Sequence, residues 1–113
     1  MNRSSRLLLG LAIAATATQV SAQVRFYEQD NFRGRSFTAE RPVGDFSHFG
    51  FNDKASSAIV RGGRWQLCDD ARFGGHCIVL APGRYPSLSA MGMNDRVSSA
   101  RRAGPPGQPP GAR

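Results

Sequence analysis

Tyr27-Glu28-Gln29-Asp30-Asn31-Phe32-Arg33-Gly34 returns 41 residues later as Cys68-Asp69-Asp70-Ala71-Arg72-Phe73-Gly74-Gly75. Phe32 lines up with Phe73, and Gly34 with Gly75. A second pair keeps nearly the same spacing: Asn52-Asp53-Lys54-Ala55-Ser56-Ser57 and Asn94-Asp95-Arg96-Val97-Ser98-Ser99 lie 42 residues apart. Gly44-Asp45-Phe46 and Gly83-Arg84-Tyr85 match at a spacing of 39, with loop length absorbing the drift. A period of this size means that one supersecondary unit is used twice.

Each unit reads as β. Val24-Arg25-Phe26 and Trp65-Gln66-Leu67 alternate apolar with polar, the period of a half-buried strand. Second strands begin at Ser36-Phe37-Thr38 and at Cys77-Ile78-Val79-Leu80, and Ala58-Ile59-Val60 and Val97 to Ala100 close the two units. Gly34 and Gly75 sit where a hairpin needs an unusual φ or a close backbone approach. Ser87 to Met93 is a short helical turn, and Gly62-Gly63 is the joint. Four short strands per unit predict an all-β sandwich of about eight strands, with the first unit at 23–62 and the second at 63–102.

The flanks are of another kind. A basic start, the apolar run Leu7 to Ala15 and the small residues Val20-Ser21-Ala22 have the layout of a secretory signal peptide over residues 1–22. The run is too short to span a bilayer as a helix, so a mature protein without a membrane span, secreted or periplasmic, is expected. Residues 101–113 hold four prolines and three glycines, so a disordered tail is expected over 103–113. Lysine and arginine number 15 against 8 acids, a formal +7. Arg3 and Arg6 leave with the leader, which gives +5 and suits contact with anionic cell-surface polymers.

Only two cysteines occur, Cys68 and Cys77, at the two sides of one hairpin. In an oxidising compartment they predict a disulfide. Enzyme signatures are missing: there is no G-x-S-x-G, no H-E-x-x-H and no phosphate-cradling loop. His48 reads as a loop residue, and Asp69 and Asp70, as neighbours on a strand, should face opposite ways. The six phenylalanines from Phe26 to Phe51 read as core, and Arg61-Gly62-Gly63-Arg64 as a turn rather than an RNA-binding element. A non-enzymatic monomer that does not bind nucleic acid is the expectation.

These residues resemble the βγ-crystallin family, in particular its secreted microbial calcium-binding domains. Tyr27…Phe32…Gly34 matches the family's aromatic-x6-Gly hairpin element, while Cys68 departs from it in the aromatic place. Both Asn-Asp-x-x-Ser-Ser stretches match the family's calcium motif at every specified position. The resemblance covers about residues 23–102 and implies two Greek-key motifs with two calcium ions at one end, each motif contributing to both. On this likeness Asp53 and Asp95 supply carboxylates, and Ser56 and Ser98 hydroxyls. Lys54, Arg96, Glu28 and Asp69 supply backbone carbonyls, the side chains of Lys54 and Arg96 pointing to solvent. Asn52, Asn94, Ser57 and Ser99 support the loops. Few carboxylates per ion imply modest affinity: the range of extracellular modules, roughly 10⁻⁴ to 10⁻³ M, is the floor, and micromolar binding stays open. A proteinase inhibitor or antimicrobial protein on the same fold is the alternative.

Overall fold

The computed structural model describes residues 22–93 and 95–104. Nearly all of the expected leader, Asn94 and the tail from Pro105 lie outside the described residues. Among those described, seven strands occur: β1 (Gln23–Gln29), β2 (Arg33–Ala39), β3 (Ser57–Arg61), β4 (Trp65–Asp70), β5 (Gly74–Leu80), β6 (Gly83–Tyr85) and β7 (Ser99–Arg102). They form a four-stranded sheet in the order β2-β1-β3-β6 and a three-stranded sheet in the order β5-β4-β7.

The two units exchange their third strands. β6 belongs to the second unit yet pairs with β3 of the first. The reciprocal strand of the first unit is reduced to one bridge, Val43 to Ala100 of β7. Val43 N donates to Ala100 O at 2.8 Å, and Ala100 N donates to Val43 O at 2.9 Å. With that strand reduced to a bridge, seven strands form among the described residues rather than eight.

Alternation puts Val24 and Phe26 of β1 and Trp65 and Leu67 of β4 into the space between the sheets, all fully buried. Phe46, Phe51, Leu88 and Met93 fill the end nearest the loops. Each such side chain adds about 1.5–3 kcal/mol relative to exposure. Of the six phenylalanines read as core, Phe26, Phe46 and Phe51 are buried and Phe37 packs at the edge. Phe49 is exposed and stacks on Phe37, and Phe32 lies on the outer surface under Arg84.

Two short 3₁₀ turns, Phe46–Phe49 and Leu88–Met91, end on left-handed Gly50 and Gly92. The second was expected over Ser87 to Met93. The first was not, and His48 lies within it rather than in an open loop. Its signal was Asp45, whose carboxylate accepts from Ser47 N as a helix cap. Strand pairing also corrects the 39-residue match. Val43 and Tyr85 pair with Ala100 and Ala58, which are themselves 42 apart. Phe46 therefore corresponds to Leu88, and the likeness of Gly44–Phe46 to Gly83–Tyr85 is a coincidence of turn composition. The ordered domain also runs past 102: buried Ala103 donates from its N to Arg64 O at 2.9 Å, and Arg64 Nε donates to Gly104 O at 2.8 Å.

Candidate metal centre

The site is built on two matching hairpins. Both carry consecutive left-handed residues, Asn31 and Phe32 in β1–β2 and Arg72 and Phe73 in β4–β5. Both ladders shift register at the same place, between Tyr27 and Gln29 and between Cys68 and Asp70. The last serine of each hexapeptide fastens its hairpin. Ser57 Oγ donates to Gln29 O at 2.6 Å and accepts from Phe32 N at 3.0 Å. Ser99 Oγ donates to Asp70 O at 2.6 Å and accepts from Phe73 N at 2.9 Å. Both serines are fully buried, which their polarity tolerates only because both bonds are made.

The hexapeptides then lie against one another. Asp53 N donates to Val97 O at 3.3 Å, and Asp95 N donates to Ala55 O at 3.2 Å. Asp53 and Asp95 have φ of 57° and 52°, a left-handed state that aspartate tolerates better than most residues. This turns their exposed carboxylates across the seam. Ser98 Oγ donates to Asp53 Oδ1 at 3.1 Å, and Ser56 Oγ donates to Asp95 Oδ1 at 3.2 Å. Each aspartate is thus joined to the other unit's serine. Ser98 Oγ also lies 3.4 Å from Arg96 O. The serine backbones dock on the hairpins: Ser56 N donates to Tyr27 O and Ser98 N to Cys68 O, both at 2.8 Å. Glu28 and Asp69 are the next residues along, so they sit beside Ser56 and Ser98 respectively.

The remaining predicted residues divide. Asn52 Nδ2 donates to Asp53 Oδ2 at 3.2 Å. The Glu28 carboxylate is taken by Arg35, whose Nε and Nη2 lie at 2.9 and 2.5 Å. Lys54 is exposed. Arg96 is exposed as well, as expected, and its Nη2 lies 3.7 Å from Asp69 Oδ2. Asp69 and Asp70 do not diverge as neighbours on a regular strand would. The register shift at Asp70 brings both carboxylates over Gly75, where a Cβ would lie 2.6 Å from Asp70 Oδ2 and overlap Asp69 Oδ1. That crowding, with φ of 73°, is why glycine stands at 75.

The disulfide forms as expected between Cys68 and Cys77, directly opposed on β4 and β5 with Cα atoms 4.1 Å apart. The first unit has Tyr27 opposite Ser36 at this level. There Tyr27 packs edge-on against Phe32 at 5.8 Å, so the disulfide occupies the position of that tyrosine.

The donors converging at the seam are oxygens: one carboxylate and one hydroxyl on each side, with main-chain carbonyls adjoining. Among the described residues no group of three or more His, Cys, Asp or Glu side chains comes together. This set suits a hard cation that takes carbonyls and waters, and it lacks the nitrogen and sulfur donors of a transition-metal centre. The sequence pointed to the residue types, and the resemblance to a sharing of both ions between the motifs; which aspartate meets which serine left one trace, the equal spacing of the two hexapeptides.

The profile of the Beta/Gamma crystallin family matches residues 23–103. A Beta/gamma-crystallin of Ciona intestinalis is 38% identical over 81 residues, 71% of this chain and 96% of that protein. Gamma-crystallin S of Oryctolagus cuniculus is 33% identical over 85 residues, 74% of this chain. The match takes in 46% of that relative, so the chain spans about half its length. The solved Ciona intestinalis structure superposes with a TM-score of 0.68 at 36% identity, covering 71% of this chain and 98% of that one. A βγ-crystallin from an archaeon gives 0.65 at 36% identity, with coverage of 74% and 99%. A transition-metal-ion-binding βγ-crystallin from Methanosaeta thermophila gives 0.64 at 26% identity, with coverage of 71% and 99%. A family match spanning both units, with relatives above 30% identity over the same residues, makes this chain a member of the Beta/Gamma crystallin family.

Proposed function

We propose that the protein is a secreted, non-enzymatic module that binds two calcium ions at the seam between its hexapeptides. The observation that carries this reading is the crosswise pairing of Asp53 with Ser98 and of Asp95 with Ser56. One ion is assigned to the Asp53 carboxylate, the Ser98 hydroxyl and the carbonyls of Arg96 and Asp69. The other is assigned to Asp95, Ser56 and, by the two-fold correspondence, the carbonyls of Lys54 and Glu28. Water completes each shell. A metal-binding neighbour in the family adds support, and the all-oxygen donor set favours calcium over a transition metal.

One carboxylate per ion, with Arg96 beside Asp69, implies binding in the range of roughly 10⁻⁴ to 10⁻³ M. At 100 times that constant each ion adds about 2.7 kcal/mol of stability. The test is a calorimetric calcium titration of the oxidised, calcium-stripped protein, with thermal melts alongside. Two binding events and a raised Tm are expected. Asp53→Ala and Ser98→Ala should affect one event, Asp95→Ala and Ser56→Ala the other. Absence of heat and of any Tm shift at millimolar calcium overturns the reading. Loss of both events equally in every variant overturns the division of ligands.

A further inference from the structure

The outer face of the four-stranded sheet carries an arginine array that the fold does not require. Arg25 of β1 lies opposite Thr38 of β2 on one side and Ile59 of β3 on the other. Ile59 in turn lies opposite Arg84 of β6. One residue pair further along, Arg61 lies opposite Gln23. Directly opposed residues share a face, and the intervening Val24 and Phe26 point into the core, so this row points outward. Arg25, Arg61 and Arg84 are all exposed. At about 4.8 Å per strand, Arg84 stands about 10 Å from Arg25, and Arg61 stands about 7–8 Å away on the diagonal. Among the described residues none of the three makes an ion pair. Arg25 and Arg61 flank a concavity of about 340 Å³, lined also by Gln23, Tyr27, Thr38, Glu40 and Ile59. That size is at the lower end for ligand sites.

The opposite sheet supplies an internal control. Its matching row is Val79, Gln66 and Arg101, and Arg101 Nε donates to Gln66 Oε1 at 2.8 Å. On that matching row the one arginine is hydrogen-bonded to its neighbour, whereas the row of the four-stranded sheet and its next pair carry three arginines without an ion pair. The acids lie elsewhere: every carboxylate except Glu40 belongs to the hairpins and loops at the metal end. The molecule thus offers a cation-binding end and, on a separate face, a cationic groove.

We propose that this groove, together with Arg84 on the strand beside it, binds an anionic polysaccharide, with Arg25, Arg61 and Arg84 meeting successive acidic groups and Gln23 and Thr38 meeting hydroxyls. Arginine forks match carboxylate and sulfate oxygens in pairs. A single-stranded nucleic acid fits less well, because it needs free aromatic faces for its bases. The two aromatic rings near the array are already covered, Tyr27 by Arg25 at 5.9 Å and Phe32 by Arg84 at 4.6 Å.

The test is titration of fluorescent dextran sulfate into the full chain at two salt concentrations, with chelator present so that calcium bridging plays no part. Unsubstituted dextran and an oligothymidylate serve as comparison probes. Binding to dextran sulfate alone is expected. In the triple variant Arg25→Gln, Arg61→Gln and Arg84→Gln it should weaken on the order of tenfold or more, and the log–log salt slope should fall by about three. The double variant Arg25→Gln, Arg61→Gln leaves the Phe32 contact intact and should still lose most of the affinity. Removing the same charge elsewhere, with Arg33→Gln, Arg72→Gln and Arg102→Gln, should change binding by less than about threefold. Equal loss in both triple variants overturns the site. Tighter binding of oligothymidylate through the same arginines overturns the polysaccharide assignment.

Discussion

Replacing Ser57 or Ser99 with alanine should loosen a hairpin without touching a metal ligand. Each hydroxyl donates once at 2.6 Å and accepts once at 2.9–3.0 Å. A net bond contributes about 0.5–1.5 kcal/mol, so two contribute about 1–3. The serines are fully buried, but the freed hairpin groups are half exposed and regain some water, which centres the loss near 2 kcal/mol. The hairpin adds to the demand, because Phe32 and Phe73 are held left-handed at φ of 61° and 62°. Such residues cost about 1–2 kcal/mol each and persist only while the surroundings hold them. For a domain of this size 2 kcal/mol lowers Tm by about 8–16 °C. The two sites lie on different hairpins, so the double variant should lose about 4 kcal/mol. The assay is a thermal and urea melt of the oxidised protein in chelator, with Ser36→Ala as an exposed comparison. Hydrogen exchange supplies the local readout, since the Phe32 and Phe73 amides should lose protection ahead of the core. Unchanged Tm in both single variants, with those amides still protected, would refute the idea that the serines hold the hairpins.

Three further outcomes are expected. Opening the Cys68–Cys77 bond, by reduction or by Cys68→Ser with Cys77→Ser, should lower the unfolding free energy in urea by about 2–3 kcal/mol, the chain-entropy value for so short a loop. Asp45 is held below the usual carboxylate pKa by the hydroxyl and then the amide of Ser47. A depressed folded value contributes stability above the unfolded pKa of about 3.9 and loses it as pH falls through the folded value. Ser47→Ala should therefore raise the Asp45 pKa in an NMR titration and move acid unfolding to higher pH. Gly75→Ala should cost more in thermal melts than Gly92→Ala, because both positions have positive φ but only at 75 does a Cβ meet the carboxylates of Asp69 and Asp70.

Much of this architecture was legible in the order of residues. The duplicated hairpin and hexapeptide carried the fold because their glycines and serines meet backbone needs that few residues can meet. The disulfide was legible because two cysteines flanked one hairpin. Less legible was anything decided between the units. Strand exchange, the shrinkage of one strand to Val43, and the pairing of Asp53 with Ser98 depend on contacts 23 to 57 residues apart, which no local period records. The turn at Phe46–Phe49 was missed because four residues are too few to show helical periodicity. Asp69 and Asp70 share a side because the strand bulges there, and a bulge leaves no mark in an alternating pattern.

The exchanged third strands also make the molecule indivisible in time. A nascent chain that has reached Gly62-Gly63 holds β1, β2 and β3, but β3 still lacks its outer neighbour and Val43 has no strand to bridge. Both gaps close only with residues of the second unit, Gly83–Tyr85 at its middle and Ala100 near its end. Neither half can mature ahead of the other, so folding must await nearly the whole domain and then proceed as a single event. Its rate is governed by these distant pairings rather than by the hairpins, which are local and quick to form.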